Sequence, residues 1–229
     1  MADTRRLLAV LIDADNVPAK HAEAILKEVA SIGEPALRRV YGDWSSDALK
    51  AWTAAIPSLG LVARQETANT HRKNASDIGL VIDAMDILHS GKFDGFVIVS
   101  SDSDFTALAN RLREDGLSVI GIGEQKTPQS LRNVCNQFIY IENLVDSPSL
   151  KTKQSDADKV LGLVREAMAK KDQDDEWYAL SGIGSAIRAT HPDFDPRSFG
   201  HTKLSALVAT LKEIDTKKDG THLFIRLKP

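Results

Sequence analysis

Hydrophobic positions in the first half of the chain follow two alternating rhythms. Short, β-branched runs recur at 5–12 (RRLLAVLI), 36–43 (ALRRVYGD), 61–66 (LVARQE), 95–101 (GFVIVSS), 117–123 (LSVIGIG) and 138–142 (FIYIE), and each reads as a strand. Between them lie stretches with helical spacing at 18–33, 45–60, 75–91, 104–116 and 127–135. Gly33 stops the first of these, and Ser45 or Ser46 is placed to cap the second. The third puts Ile78, Val81, Ile82, Met85 and Leu88 on one predicted apolar face. Strands separated by helices require crossover connections, so the pattern predicts an α/β domain with a mainly parallel sheet covered on both sides. A 3-2-1-4-5 strand order would make the first and fourth strands neighbours at the switch point, where ligands collect outside the carboxyl ends.

The rhythm breaks between Leu144 and Ser155, a polar, aperiodic stretch containing Pro148 that reads as a linker. Beyond it come a helix at 156–171, a turn and helix at 177–192 and a helix at 199–214, followed by a hairpin with its turn expected at Asp219-Gly220. This second region reads as a small winged-helix-like domain. The expected division is 1–145, a linker at 146–155, and 156–229.

Composition narrows the function classes. The chain has 229 residues, 42% hydrophobic and 27% charged, enough for one full core and a smaller second one. No apolar run is long enough to span a bilayer, and the N-terminal apolar stretch is too short for a signal peptide before it meets Asp13. Cys135 is the single cysteine, which excludes an intramolecular disulfide and points to a reducing, cytoplasmic setting; it is expected as a buried apolar residue at a helix end. Residues 1–150 carry a net charge of −5 and residues 151–229 a net of +2, too small an excess to show nucleic-acid binding by itself.

The chemistry is concentrated in acids. Asp13 follows the first strand, Asp102 and Asp104 follow the fourth, and Asp77 opens a helical pattern. Carboxylates gathered without bases are costly unless a divalent cation neutralises them, which points to Mg²⁺ or Mn²⁺. Each also has a plain structural reading: helix capping for Asp13, Asp102 and Asp104, and first-turn dipole stabilisation for Asp77. Asp83 and Asp86, further along the Asp77 helix, read as solvated, and Asp15 as exposed or supporting. No His or Lys is placed as a general base. Arg72 and Lys73 precede Asp77 and are candidates for substrate phosphates. Trp44 and Trp52, eight apart on one predicted helix, read as core.

Three motifs occur in order: LIDADN (11–16), Lys73 to Asp77 with Leu80 and Asp83, and IVSSDSDFTALANRLREDGLSVIGIG (98–123). Over about residues 6–143 they resemble the NYN domain family, the LabA-like branch of the PIN-like nucleases. The resemblance implies a three-layer α/β/α fold and a metal-dependent ribonuclease site. It makes Asp13, Asp77, Asp102 and Asp104 the metal-site acids, with Asn16 and Ser100 shaping the site. PIN-like folds often pair, so a homodimer is an expectation of the resemblance, although no position marks an interface. Residues 155–229 resemble an OST-HTH (LOTUS) domain through the stretch ending in Phe194, Phe199-Gly200, Leu204 and Leu207 and through the closing hairpin. That family is associated with RNA binding. Arg197, His201, Lys203 and the Lys217/Lys218 turn are its candidate phosphate contacts, while the apolar positions are core. The opening DADNV also fits a haloacid dehalogenase-like phosphatase, with Asp13 as nucleophile and Asp15 as acid/base. A non-cleaving RNA-binding regulator is the third reading.

Overall fold

The computed structural model describes residues 5–65, 75–145, 154–171 and 176–228, so Arg72 and Lys73 lie outside the described residues. The chain divides into two compact units, Met1–Val145 and Asp146–Pro229.

In the first unit, six strands form one sheet: β1 (Leu7–Asp13), β2 (Glu34–Gly42), β3 (Val62–Gln65), β4 (Gly95–Val99), β5 (Ser118–Gly123) and β6 (Gln137–Tyr140). Their order is β3-β2-β1-β4-β5-β6, and every pairing is parallel. The order reverses between β1 and β4, as the alternating pattern predicted. Helices α1 (Ala22–Ile32), α2 (Lys50–Ser58), α3 (Ala75–His89), α4 (Thr106–Glu114), α5 (Gln129–Val134) and α6 (Glu142–Val145) supply the connections and the end of the unit.

Strand alternation divides the core into two layers. Leu8, Val10 and Ile12 of β1 join Val40, Val97, Val99, Ile120 and Ile122 under Ile25 and Val29 of α1 and Trp52 of α2. Ala9 and Leu11 face the other way, with Tyr41, Phe96, Ile98 and Val119, against Leu80 and Ile87 of α3, Leu108 and Leu112 of α4, and Leu131. Strands buried on both faces explain the near-continuous apolar runs. Asp13 continues the Ala9–Leu11 side past the end of the apolar run. That side is the one covered by α3 and α4.

The buried stripe of α3 differs from the predicted one. Leu80, Ala84 and Ile87 are buried, with Val81, Met85 and Leu88 half-buried beside them, whereas Ile78 and Ile82 are 61% and 58% exposed. The helix is apolar nearly all round, so periodicity alone could not select the face. Small Ala84 is fully buried in the stripe, a position that counting large residues misses. Trp52 is core, but Trp44 precedes its helix, packing on the same core while its Nε1–H donates to the Arg64 carbonyl at 2.8 Å. Ser46, rather than Ser45, caps the short 3₁₀ turn Asp47–Leu49 ahead of α2. Leu144 and Val145 belong to α6, with Leu144 packed on the core, so the linker expected from Leu144 starts later.

The second unit comprises α7 (Gln154–Ala169), β7 (Tyr178–Ala179), α8 (Leu180–Thr190), α9 (Leu204–Val208), β8 (Ile214–Asp219) and β9 (His222–Leu227). Its three strands form an antiparallel sheet in the order β7-β9-β8. Gln154 and Ser155, expected in the linker, begin α7. Phe194, Phe199 and Leu207 are buried core and Leu204 is packed against it, as expected. The predicted helix at 199–214 is interrupted: Pro196–Phe199 is a 3₁₀ turn ended by Gly200 at φ +77°, and only Leu204–Val208 is α-helical. Asp219 pairs with His222, so the hairpin loop is Gly220-Thr221, one residue later than expected.

Candidate metal centre

Asp13 ends β1 and is 1% exposed, with both carboxylate oxygens engaged. Oδ1 accepts the backbone N–H groups of Asp15 (3.1 Å) and Asn16 (3.3 Å). Oδ2 accepts the Asn16 side-chain amide at 2.6 Å and the Ser100 hydroxyl at 2.8 Å. Ser100 follows β4, which pairs with β1, so this bond ties the two strand ends across the switch point. Burial raises the Asp13 pKa; the hydrogen bonds from Ser100 and Asn16 oppose that rise.

The bonding continues outward. Ser100 Oγ accepts the Asp102 backbone N–H at 3.1 Å, and Asp102 Oδ1 accepts that of Asp104 at 2.9 Å. Asp102 thereby caps the 3₁₀ turn Ser103–Phe105 that leads into α4. The capping reading is correct for Asp102, and it leaves Oδ2 available. Ser101 serves elsewhere, accepting the Glu124 N–H at 2.9 Å and holding the loop after β5 against the site.

Among the described residues, Asp77, Asp102 and Asp104 form a group of carboxylates whose oxygens lie within 4.8 Å of one another. Asp77 comes from the first turn of α3, which packs on β1 and β2, while the other two come from the loop after β4. Burial, and then the charges of Asp13, Asp102, Asp104 and Asp15, push the Asp77 pKa up to about 6. The fold therefore brings Asp77, Asp102 and Asp104 into one group, with Asp13 close enough to act on Asp77 but held in its own hydrogen bonds. Asn16 and Ser100 both bind Asp13. Asp15 is exposed.

The donors of the group are all carboxylate oxygens, the set that hard divalent cations take. A cation there would offset both the burial and the repulsion that raise the Asp77 pKa. The residues present fit Mg²⁺ or Mn²⁺.

Asp83 is not solvated, contrary to the expectation. It accepts hydrogen bonds from Arg39 Nη1 and from the Tyr41 hydroxyl (2.5 Å), and Arg64 Nε stands 3.6 Å from its Oδ2. Sequence reasoning missed this network because the two hydrogen-bonding partners lie 44 and 42 residues away. The available signal was Arg39 and Tyr41 at i, i+2, sharing one face of β2. In the second unit, Arg197 is engaged by Asp195, with Nη2 at 2.7 Å from Oδ2, whereas Lys203, Lys217 and Lys218 are exposed.

An all-parallel α/β/α unit with acids gathered at its switch point is the construction of the PIN-like fold. The chain belongs to the NYN domain family, whose sequence model matches residues 7–142, and carries an OST-HTH/LOTUS domain matching residues 151–225. The two domains together support a ribonuclease that carries its own RNA-binding module. A crystal structure of a Vibrio parahaemolyticus protein of unknown function has a similar fold, at 20% identity and a TM-score of 0.51, over 62% of this chain and 96% of that one. Comparison with curated proteins returns no match. No helix among the described residues is long and apolar enough to cross a membrane.

Proposed function

We propose that the protein is a metal-dependent ribonuclease that hydrolyses RNA phosphodiesters at Asp77, Asp102 and Asp104, with RNA also held by the C-terminal domain. The observation that carries this reading is the convergence of those carboxylates within 4.8 Å from two separated segments. Asp77, Asp102 and Asp104 would hold Mg²⁺ or Mn²⁺. Bound there, a divalent cation would lower the pKa of a water molecule and offset charge on the leaving oxygen. The chain's own contribution is placement. Asn16 and Ser100 fix the Asp13 carboxylate, and Ser100 also fixes the Asp102 backbone, so the acids are positioned before substrate arrives. The OST-HTH/LOTUS domain raises the concentration of RNA near the acids by tethering it.

The phosphatase reading has less support. A nucleophilic Asp13 would need an accessible oxygen, and both of its oxygens are engaged in a buried setting.

Cleavage of a labelled single-stranded RNA with Mg²⁺ or Mn²⁺ tests the proposal, comparing wild type with Asp77→Asn and Asp102→Asn. Cleavage that needs the metal and is lost in both variants is the expected result. RNA bound through the C-terminal domain without cleavage at any metal concentration would indicate a binding regulator instead. Loss on Asp15→Asn with activity retained in Asp77→Asn would overturn the nuclease assignment.

A further inference from the structure

The acidic centre repels the RNA backbone that the proposed reaction must bring to it. Phosphates flanking the scissile one therefore need cations held within a nucleotide or two of the acids. The register of the sheet identifies a place for one. Asp13 pairs with Tyr41 of β2, and Tyr41 pairs with Arg64 of β3, so the three residues form one row across the carboxyl edge. At the usual spacing between strands, Arg64 stands about 10 Å from Asp13 along that row.

Arg64 is not an ordinary surface cation. Asp83 receives Arg39, Arg64 and the Tyr41 hydroxyl together. Burial and the Asp83 charge hold the Tyr41 pKa far above its usual range, so the phenol is neutral. Two guanidinium groups thus share one carboxylate, and the cluster keeps a net positive charge. Arg39 takes the hydrogen bond and is 22% exposed; Arg64 stands farther off and is 45% exposed. The uncompensated charge therefore resides mainly on Arg64. Its Nε faces Asp83, and its Nη1 and Nη2 make no hydrogen bond among the described residues. The backbone beneath it is held as well: the Arg64 carbonyl accepts Trp44 Nε1–H, and the Gln65 side chain binds Asp43 Oδ1 at 3.0 Å and the Trp44 N–H at 3.2 Å.

We propose that Arg64 is a phosphate-binding residue for single-stranded RNA on the β3 side of the acidic centre, and that Asp83 is the positioning residue that aims it. The inference rests on the ribonuclease reading for its account of why RNA passes this edge. A guanidinium with two free NH₂ groups matches two phosphate oxygens at once, which an ammonium cannot reproduce.

The test is equilibrium binding of a short labelled single-stranded RNA to the full chain across a salt series, with Ca²⁺ in place of Mg²⁺ or Mn²⁺. Cleavage kinetics of the same RNA in Mg²⁺ or Mn²⁺ accompany it. Arg64→Gln is expected to weaken binding about tenfold at moderate salt and to reduce the slope of log K against log salt by about 0.7, the value for one phosphate on a single strand. In cleavage, KM should rise by a similar factor with kcat and the metal activation constant unchanged. Arg64→Lys should keep the salt slope and recover only part of the affinity. Asp83→Asn, which leaves Arg64 charged but unaimed, should raise KM while keeping the slope. Unchanged affinity and slope in Arg64→Gln overturn the proposal, whether or not the RNA is cleaved. Wild type that binds RNA without cutting it would overturn the ribonuclease reading alone, and the binding comparison would still judge Arg64.

Discussion

Ser100 Oγ lies 2.8 Å from Asp13 Oδ2, and this bond joins the ends of two strands that are neighbours in the sheet but far apart in sequence. The same oxygen accepts the Asp102 N–H, so one hydroxyl orders both carboxylate-bearing loops. Ser100→Ala would leave a buried carboxylate short of a donor, at a cost of about 1–3 kcal/mol. It should also raise the Asp13 pKa further. A carboxyl whose folded pKa lies above its unfolded value destabilises the fold as pH rises through the folded pKa. The difference between variant and wild type should therefore be full at pH 8 and shrink in acid, where Asp13 is protonated in both. Denaturant titrations at the two pH values measure it, and a pH-independent difference would contradict the role given to Ser100.

Asp77 makes a prediction of opposite sign. Its folded pKa of about 6 lies above the 3.8 of an unperturbed aspartate. Without metal, stability is favoured by the protonated form and declines as pH climbs from about 4 through 6. Asp77→Asn should stabilise the metal-free first unit at pH 7.5 by about 1 kcal/mol, a figure reduced for the partial exposure of the side chain. The gain should vanish near pH 4. Adding Mg²⁺ or Mn²⁺ should reverse the ranking by stabilising only the wild type. Thermal melts in chelator and in metal give both results; a destabilised variant in chelator would count against the repulsion inferred here.

Two glycines should respond to the same substitution in opposite ways. A Cβ on Gly123 would lie 2.7 Å from both the Ser100 carbonyl oxygen and Thr127 Oγ1. Gly123→Ala must therefore shift the backbone that presents Ser100, costing about 1–3 kcal/mol and lowering cleavage activity. Gly162 lies within α7, and a Cβ there meets nothing within 4 Å. Gly162→Ala should add about 0.5–1 kcal/mol of stability to the second unit and leave activity untouched. Calorimetry with parallel activity assays would detect the divergence.

Cys135 should be inert in the folded protein. It is buried at the end of α5, its thiol donates to the Leu131 carbonyl, and burial pushes its pKa up to about 12. At pH 8 almost none is thiolate, the form that reacts. An aromatic disulfide reagent should label it only after denaturant is added, and rapid native labelling would show that α5 opens readily.

The strands, their order about β1 and β4, and the acids at their ends were legible because local rhythm and chain order encode them. Burial on both faces makes residues 7–12 and 95–99 continuous apolar runs, and polarity resumes at the carboxyl edge of the sheet. Two kinds of information were not legible. The buried face of α3 depended on which side met the sheet, and Ile78 and Ile82 show that large apolar residues do not always mark it. The binding of Asp83 to Arg39, Tyr41 and Arg64 depended on tertiary proximity, which no local pattern carries. In the second unit, Gly200 in the left-handed region closes a 3₁₀ turn and delays to Leu204 a helix that apolar spacing alone would have started at Phe199.

The placement of β4 beside β1 also bears on biosynthesis. A ribosome delivers Asp13 first and Asp77 next, yet the loop bearing Asp102 and Asp104 emerges only after β3 and α3 have been made. Until β4 slots in against β1, Asp13 lacks its Ser100 partner and Asp77 has no neighbouring carboxylates from that loop. A nascent chain therefore has no assembled acidic centre until the segment that follows α3 has been made and folded. The carboxylate group is completed late, with the insertion of one central strand.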